Sequence, residues 1–596
     1  MSEHKCVGVV ELRAFFGANP YAPEGIVLAA IRMESTPDAM ETAIQTLRAA
    51  YAEWVPDALG QGSAKERAAR AVAHWASAAL NEVRGCIECA GAVAQELSPV
   101  QAVNDQIVLA YVGFHQVELS ARALSLGAEL LSQAVRIGPV PDAATTLRNS
   151  NASAVQELLD ACRWQHPDWQ ACILMRAARR AGIPVLPLSR TARVWQYGWG
   201  SRSRIFFESA SNADGMVGYT ISRNKVASKE ALQALGVPTP AHVLVSDESQ
   251  LLQAVQQIGW PCVVKPIDQG GGRGVTAGID TLDALKAAYQ LARSHTTAAV
   301  MLEAFCEGHD HRLLVIDGEL VAVTRREPPQ VIGDGVRTVR QLVEALNIGR
   351  TRNMLRSRYR SPITLDAEVQ AQIQAQGWRL GDVLLEGQLV QLRSNANIAT
   401  GGSAHDVTHL IHPELRDMAL RIAKAFGMHT AGFDWITTDI SAAPSVSGGQ
   451  MIEINNTPGL SAQIAAGFDP DALGLKVLGA GLSRIPTELR VVAEGCLDAE
   501  REAFQQKACS AGDAWVVGNA LSVGGKLRNT HDQTPWSAVK QVLQDPLAER
   551  LVVVCTGADL SLGGMPLDRV DRVVMADDAC LSLDWVRVLE RAVTPG

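Results

Sequence analysis

Residues 261–275 of this 596-residue chain read PCVVKPIDQGGGRGV. The β-branched run predicts a strand that delivers Lys265, and a glycine-rich loop follows it. The loop glycines are Gly270, Gly271, Gly272 and Gly274. Glycine lets backbone N–H groups close around an anion, and a lysine ammonium is a compact donor to phosphate oxygens. The stretch therefore predicts a strand and a phosphate-binding loop, for which a flexible surface turn is the alternative.

The segments on either side of this loop supply further polar side chains. Upstream, SRNKVASKEALQALGVPTP places Lys225 at the start of a helix. Downstream, MLEAFCEGHDHRLLVIDGELVAV carries the carboxylates Glu303 and Asp310 around a strand. A purine amine and the hydroxyls of a ribose both need hydrogen-bond acceptors, so Glu303 is a candidate for the first role and Asp310 for the second. A solvated loop carboxylate is the alternative for each.

A third set of polar residues lies on two predicted strands, AGFDWITTDI and QMIEINN, joined by the Gly- and Pro-containing linker SAAPSVSGG. Alternate side chains of a strand share a face, so Glu453 and Asn455 point the same way. Pairing of the two strands as a hairpin would bring Asp434 beside them. Two carboxylates and an amide oxygen are hard ligands, suited to Mg²⁺ that is also held by phosphates. The solvent-facing side of an edge strand is the alternative.

In this order the motifs resemble those of the ATP-grasp ligases, and more closely those of the cyanophycin synthetases. The resemblance covers most of the chain and is strongest from 220 to 460. Its most specific stretches are GHDHRLLVIDGELVAVTRREPPQVIGDGVRTV, LRSNANIATGGSAHD and EINNTPGL.

This resemblance implies a role for each matching residue. The nucleotide phosphates would be held by Lys225 and Lys265, with the loop from Gln269 to Gly274 closing over them. Glu303 would meet adenine and Asp310 the ribose. The residues near the transferring phosphoryl and acyl groups would be Lys265, Arg312 and Arg326. Magnesium would be held by Asp434, Glu453 and Asn455. The acyl substrate would be met by Arg393, Asn395, Asn397 and Ser403.

Changes in hydrophobic periodicity predict a multi-domain α/β protein. In residues 1–165 apolar side chains recur every three or four positions, which predicts amphipathic helices in a helical or α+β domain. In residues 166–478 short β-branched runs alternate with helices, and the resemblance implies that this part is the ATP-grasp catalytic domain. Residues 479–596 again look like mixed α/β and resemble a truncated Mur-ligase-like domain.

Two further sites of the family are altered here. A working Mur-like domain needs the phosphate loop GxxxxGK[ST], but its nearest counterpart is ALSVGGK at 520–526, followed by Leu527 in place of Ser or Thr. In the N-terminal region the family carries a metal-binding His-x-x-Glu-His helix with a further glutamate. The matching positions here are Arg70, Ala73, His74 and Ala78. We therefore expect no ATP use after 478 and no metal-dependent hydrolysis in the N-terminal domain.

The predicted catalytic site also departs from the family pattern. The loop has Gly270 and Gly271 where the family often has Asn-His. After the Pro-Gly-Leu at 458–460 it has Ser461 and Gln463 where Arg and His are common. Loss of a cation beside the acyl site bears on the identity of the acyl substrate rather than on the reaction type.

The composition of the chain excludes some classes of partner and favours one cellular compartment. The chain has 54 Lys and Arg against 63 Asp and Glu, a net charge of −9, which argues against a dedicated nucleic-acid binder. There is no apolar run of the roughly 18 residues that span a membrane, and no signal pattern at the start. The 11 cysteines show no repeating spacing, so we expect a cytoplasmic protein without a disulfide framework.

Together, the resemblance implies an ADP-forming ligase that uses ATP and Mg²⁺. It would add β-aspartyl-arginine dipeptides to a cyanophycin-type polymer primer through a C-terminal acyl phosphate, as a homodimer or homotetramer. Two alternatives remain open. One is an ATP-grasp ligase for another amino acid or peptide, and the other is a catalytically silent partner of a full-length cyanophycin synthetase.

Overall fold

The computed structural model describes residues 6–82, 92–94, 107–189, 191–350, 359–507, 509–528 and 534–593. The chain forms two compact units. The first comprises Met1–Asp168, Gly182–Ile205 and Ala480–Gly596, and the second comprises Trp169–Ala181 and Phe206–Gly479. The units differ from the predicted domains in one respect, because the two terminal segments share a unit that also takes in 182–205. The domain boundaries remain a prediction.

An antiparallel sheet and a helical layer make up the N-terminal part of the first unit. Its strands are β1 (Val7–Phe15), β2 (Ile26–Met33), β3 (Ala92–Ala94) and β4 (Ile107–Gly113), in the order β1-β2-β4-β3. Its helices are α1 (Pro37–Ala50), α2 (Ala64–Glu82), α3 (Val117–Ile137), α4 (Ala143–Ser150) and α5 (Ala152–Gln165). The apolar faces of α1, α2 and α3 form one core with the sheet, around the fully buried Trp75. The periodicity predicted these helices, whereas the two long N-terminal strands were not predicted.

Helix α2 carries the positions that match the metal site of the family. Arg70 donates from Nη1 to the carbonyl oxygens of Leu59 (3.0 Å) and Gln61 (2.5 Å), so the arginine ties down the preceding loop. Burial and the nearby Arg70 lower the pKa of His74. In the described ranges there is no group of three or more His, Cys, Asp or Glu side chains that could hold a metal.

Short elements follow between 169 and 222. They are α6 (Trp169–Arg180), β5 (Val185–Ser189), β6 (Val194–Tyr197), β7 (Arg204–Phe207), β8 (Ala210–Ser211) and α7 (Met216–Ser222). Strands β5 and β6 pair antiparallel in the first unit. Helix α6 belongs to the second unit, where Arg176 Nε pairs with the buried Asp471 Oδ1 at 2.6 Å.

The second unit continues with a four-stranded antiparallel sheet. Its elements are α8 (Lys225–Ala234), β9 (His242–Val245), α9 (Leu251–Ile258), β10 (Cys262–Pro266), β11 (Thr276–Ile279), α10 (Leu282–His295) and β12 (Val300–Ala304). The sheet order is β11-β10-β12-β9, and helices α9 and α10 supply its core. The predicted strand is therefore present, and Lys265 is its fourth residue.

A five-stranded antiparallel sheet with the order β17-β14-β13-β18-β19 forms the rest of this unit. Its elements and their neighbours are β13 (His309–Ile316), β14 (Glu319–Glu327), β15 (Gln330–Ile332), α11 (Val339–Asn347), α12 (Ala367–Ala375), β16 (Leu389–Gln391), β17 (Ser403–Asp406), α13 (Pro413–Ala425), β18 (Thr430–Thr437), α14 (Pro444–Ser447), β19 (Gln450–Asn455), α15 (Ser461–Ala466) and α16 (Pro470–Leu478). Helix α13 packs its apolar face on one side of the sheet. The predicted hairpin is confirmed, with α14 inside its linker.

The C-terminal part of the first unit is a six-stranded sheet in the order β23-β22-β21-β24-β20-β25. Its elements are β20 (Thr487–Val492), α17 (Leu497–Gln506), β21 (Asp513–Val517), β22 (Ala520–Val523), β23 (Lys526–Arg528), α18 (Pro535–Gln544), β24 (Arg550–Thr556), α19 (Gly557–Gly563), β25 (Arg572–Met575) and α20 (Leu583–Ala592). Strand β20 was not predicted, although it pairs in parallel with both β24 and β25.

The near-match ALSVGGK forms a β-hairpin in this sheet. Val523 and Lys526 are register partners on β22 and β23, and the turn between them is Gly524-Gly525 with φ of 59° and 73°. A phosphate loop leads from a strand into a helix, whereas this turn leads into an exposed strand. The segment therefore lacks the backbone arrangement of a phosphate loop. In the part of the chain that the structure describes, no helix has both the length and the apolar character needed to cross a bilayer.

Candidate active site

A cleft of about 240 Å³ opens in the second unit, and residues from three predicted groups line it. Lys225, the first residue of α8, donates from Nζ to the Gln269 carbonyl oxygen (2.8 Å) and to Glu453 Oε1 (3.1 Å). The remaining lining residues are Phe207, Tyr219, Ser222, Arg223, Ile267, Asp268, Gly270, Ile454, Asn455, Asn456 and Thr457. The N-cap residue Asn224 fixes the start of α8 by accepting from two backbone amides. The structure thus brings together the predicted lysine, the predicted phosphate loop and part of the predicted metal set.

The glycine-rich loop has a backbone that glycine favours. Gly271, Gly272 and Gly274 have φ of 68°, 77° and 68°, in the left-handed region where a side chain is strained. Asn397 Nδ2 donates to the carbonyl oxygen of Gly271 at 3.2 Å, and a Cβ on Gly272 would lie 3.4 Å from Asn395 Nδ2. Of the four residues predicted to meet the acyl substrate, Asn397 thus contacts the loop and Asn395 lies close to it.

A buried ion cluster lies beside the strand that carries Lys265. Glu303 Oε2 is 2.5 Å from Lys265 Nζ and 3.2 Å from Lys229 Nζ. Lys229 also donates to Thr239 Oγ1 (3.0 Å) and to the Pro240 carbonyl oxygen (3.2 Å). The carboxylate predicted to face adenine is thus paired with the lysine predicted to face phosphate.

Lys229 is a site residue that the sequence analysis missed. Its side chain is only 1% exposed, and burial lowers its pKa to about 8, although Glu303 acts in the opposite direction. The available signal was its spacing, because Lys229 lies four residues after Lys225 and falls on the same side of the helix. A buried lysine keeps its charge only when it has partners, and Glu303 supplies one.

Arginines and carboxylates alternate across the strands β13, β14 and β18. Arg312 is the register partner of Asp434, and Arg326 is the register partner of Asp310. Asp434 Oδ1 is 2.6 Å from Arg312 Nε and 3.2 Å from Arg326 Nη2, which is also 2.6 Å from Asp310 Oδ1. Burial alone would raise the pKa of Asp434, but the two guanidinium groups outweigh it and hold the pKa below its ordinary value. Asp434 therefore carries a negative charge between two arginines.

Asp434, Glu453 and Asn455 fit the donor chemistry of Mg²⁺. Asp434 is the register partner of Glu453, and Asn455 is paired two residues along with Gly432. The set offers only oxygen ligands, from Asp434, Glu453 and the Oδ1 of Asn455, on two adjacent strands. With one oxygen from each residue, two carboxylates and one amide leave half of an octahedral shell open, as expected where phosphates and water complete it.

The structure separates the other two residues predicted to meet the acyl substrate. Arg393 is buried, and its guanidinium is ion-paired with Asp366 and Glu368 at the start of α12. Ser403 is the register partner of Glu327 on β14, while the adjacent Ala404 is the partner of Arg326. Because neighbouring strand residues face opposite sides of a sheet, Ser403 lies on the face away from Arg326.

Known proteins share sequence similarity with this chain. The ATP-grasp domain matches residues 230–311. Over 431 residues the chain is 31% identical to a cyanophycin synthetase from Crocosphaera subtropica, covering 70% of this chain and 49% of that protein. The chain is thus similar to cyanophycin synthetases over more than two thirds of its own length. The predicted resemblance to cyanophycin synthetases and the α/β multi-domain fold class are therefore confirmed, and the matched part of the chain spans about a third to a half of the length of these curated relatives.

Similarity also extends to glutathione biosynthesis proteins. The chain is 34% identical over 257 residues to the bifunctional glutathione biosynthesis protein of Streptococcus mutans, covering 40% of this chain and 32% of that one. A solved bifunctional glutathione synthetase from Pasteurella multocida covers 76% of this chain, with 81% of its own chain covered, 17% identity and a TM-score of 0.40.

Proposed function

We propose that this chain is an ATP-dependent carboxylate–amine ligase that extends a cyanophycin-type polymer by β-aspartyl-arginine dipeptides. One observation carries the proposal. The Lys225 ammonium is hydrogen-bonded both to the phosphate loop at Gln269 and to the metal-ligand candidate Glu453. A cation, a loop with glycine-dependent backbone and a hard oxygen ligand in one cleft are the groups that nucleotide-dependent phosphoryl transfer requires.

The proposed reaction proceeds in two displacements. An oxygen of the C-terminal carboxylate of the polymer attacks the γ-phosphorus of ATP, the bond to the bridging oxygen breaks, and ADP leaves. The amine nitrogen of the incoming dipeptide then attacks the acyl carbon, the acyl C–O bond breaks, and phosphate leaves with that electron pair. The amine proton passes to solvent or to the departing phosphate. Neither step needs a side-chain nucleophile.

The residues of the cleft act by position and charge. Lys225 and Lys265 would bind phosphate oxygens, and the backbone amides between Gln269 and Gly274 would close over them. Arg312 and Arg326 would face the acyl phosphate, since both already neutralise the buried Asp434 carboxylate. Charge that is held in place before the reaction stabilises the transition state without reorganisation.

Magnesium bound by Asp434, Glu453 and Asn455 would neutralise the phosphate oxygens of the nucleotide. The protein side of this site is the hairpin of β18 and β19, which keeps the three oxygen-bearing side chains on adjacent strands. Homo-oligomer formation and a cytoplasmic location are parts of the same proposal, and they are supported by the resemblance to cyanophycin synthetases.

ADP release by the purified chain tests the proposal. We expect turnover with a cyanophycin primer plus β-Asp-Arg, and none with the primer plus free Asp and Arg. Turnover only with the free amino acids would contradict the dipeptide assignment. Absence of turnover with any acceptor would instead favour a silent partner of a full-length synthetase.

A ligase for another peptide is a second candidate, and Gln463 favours it. This side chain is 0% exposed on α15, and neither its Nε2 nor its Oε1 has a hydrogen-bond partner among the described residues. A neutral amide here replaces a cation that is common in the family, so the group it recognises would differ. Turnover with a panel of peptides that lack arginine would distinguish the two candidates.

A further inference from the structure

The outer part of the cleft is formed by residues with no role in the proposed chemistry so far. Phe207 and Tyr219 are 43% and 39% exposed, and they line the same cleft as Lys225 and Glu453. Arg223, two residues before Lys225, lies beside them and is exposed. We call Phe207, Tyr219 and Arg223 the outer cleft, because all three lining side chains are exposed.

Arg223 is held in place but not neutralised. Its Nη1 donates to the Tyr219 hydroxyl at 2.7 Å, and its Cζ is 5.3 Å from the centre of the Tyr219 ring. Among the described residues it forms no ion pair with a carboxylate, whereas the neighbouring cation Lys225 is paired with Glu453. Arg223 is thus an oriented guanidinium with its charge available to a ligand.

The chemistry of this group selects a carboxylate. A guanidinium presents parallel N–H donors that match the two oxygens of a carboxylate, and an aromatic ring behind it reduces its freedom of movement. In the proposed reaction the polymer carboxylate must reach the phosphate loop, which Asn397 contacts through the Gly271 carbonyl oxygen. The second substrate needs a binding group in the same cleft that is open to solvent, and the exposed Arg223 offers one.

We propose that Arg223, positioned by Tyr219, binds a carboxylate of the incoming amine substrate, so that the outer cleft is the acceptor subsite. This rests on the proposed ligase function and adds the location of the second substrate. Arg223 acts by binding, and Tyr219 acts through Arg223 by fixing its guanidinium.

Steady-state ADP release with each substrate varied in turn tests the proposal. For Arg223→Gln we expect the KM of β-Asp-Arg to rise about tenfold or more, with the KM of ATP and of the primer within about twofold of the wild type. Tyr219→Phe should raise the same KM by a smaller factor and leave kcat unchanged. The matched control is Arg416→Gln, which removes an exposed arginine on α13 of the same unit.

An acceptor with its carboxylates amidated completes the design. The wild type should lose affinity for it, and Arg223→Gln should cause no further loss because the charged partner is already gone. An equal loss for the acid and the amidated acceptor would overturn the proposal. A rise confined to the KM of the primer would assign Arg223 to the polymer. A rise confined to the KM of ATP would assign it to the nucleotide. Either result would overturn the acceptor subsite.

Calorimetric titration with β-Asp-Arg separates this proposal from the ligase function. If the wild type releases no ADP but binds the dipeptide, and Arg223→Gln abolishes that binding while Arg416→Gln retains it, the subsite stands and the ligase function fails. If the wild type neither turns over nor binds the dipeptide in the presence of a non-hydrolysable ATP analogue, the subsite fails as well.

Discussion

Two stretches of this chain combine glycines with a lysine, and they form different structures. In the second unit Lys265 lies one residue before the end of a strand, and the loop Gly270–Gly274 follows, in contact with Asn397. In the first unit Gly524 and Gly525 form the turn of a hairpin, and Lys526 begins the exposed strand β23. The same residue types therefore produce a candidate phosphate site in one place and a surface turn in the other.

Burial of charge separates the two stretches more clearly than glycine content does. Lys265 is 5% exposed and is paired with Glu303, whereas Lys526 is exposed. Removing an ammonium from water costs several kcal/mol of free energy unless a nearby counter-charge offsets that cost. A buried, paired lysine beside a loop with left-handed glycines thus points to function, while an exposed lysine after a Gly-Gly turn needs no such explanation.

Among the variants that test the candidate phosphate site, Glu453→Ala is expected to have the largest effect on turnover. The change removes the carboxylate that is hydrogen-bonded to Lys225 and that would hold magnesium, so turnover should fall by about a thousandfold or more. The thermal unfolding midpoint should stay close to that of the wild type, because the side chain is 32% exposed. Full activity of this variant would show that the metal assignment is wrong.

The next largest effect is expected from a matched pair of lysine substitutions, Lys265→Met and Lys526→Met, which compare the two stretches directly. Loss of the buried ammonium should lower kcat/KM for ATP about a hundredfold, because a charge-assisted contact to phosphate is lost in a desolvated site. The hairpin lysine should change it by less than about twofold. ADP release assays report both. Comparable losses for the two variants would mean that the hairpin also contributes to nucleotide use.

Much of the site could be predicted because its residues occur in local patterns. Asp247 caps the helical turn before α9, and Gly259 ends α9 with φ of 89°, so the ends of this helix are marked by residue types that favour caps. The hairpin that pairs Asp434 with Glu453 could be predicted from the alternating side-chain faces of its strands and from the composition of its linker. Such features depend on neighbours in sequence, which is what a sequence pattern records.

Other features depend on contacts between distant segments. Nothing near Arg393 indicates that Asp366 and Glu368 neutralise it, and nothing near Lys229 indicates that Glu303 pairs with it. Strand β20 was missed because both of its partners, β24 and β25, follow more than 50 residues later. Charge pairing across such distances is set by the fold, so the sequence pattern indicates the residue type but not the partner.

A smaller effect is expected for Gly432→Ala, which tests the position of Arg312. An added Cβ would lie 2.7 Å from Arg312 Nη1 and 2.7 Å from Pro458 Cβ, so the guanidinium must move away from Asp434. We expect kcat to fall about tenfold with a modest change in the KM of ATP. The matched control is Gly381→Ala, where an added Cβ meets nothing within 4 Å. Unchanged kcat in Gly432→Ala would show that Arg312 need not stay beside Asp434.

The smallest effect concerns the pH dependence of stability at Lys229. Burial lowers its pKa from 10.5 to about 8, although Glu303 opposes the shift. Between these two values the unfolded chain holds one more proton than the folded chain, so the free energy of unfolding rises with pH across this window. The unfolding midpoint of the wild type should therefore rise by a few degrees relative to Lys229→Met between pH 8 and 10.5, and keep a constant offset below pH 8.

Calorimetry of both proteins, with Lys286→Met on α10 as the variant that loses an exposed lysine, measures this difference. A constant offset over the whole range would mean that the ammonium of Lys229 titrates as it does in the unfolded chain, and that Glu303 fully compensates its burial.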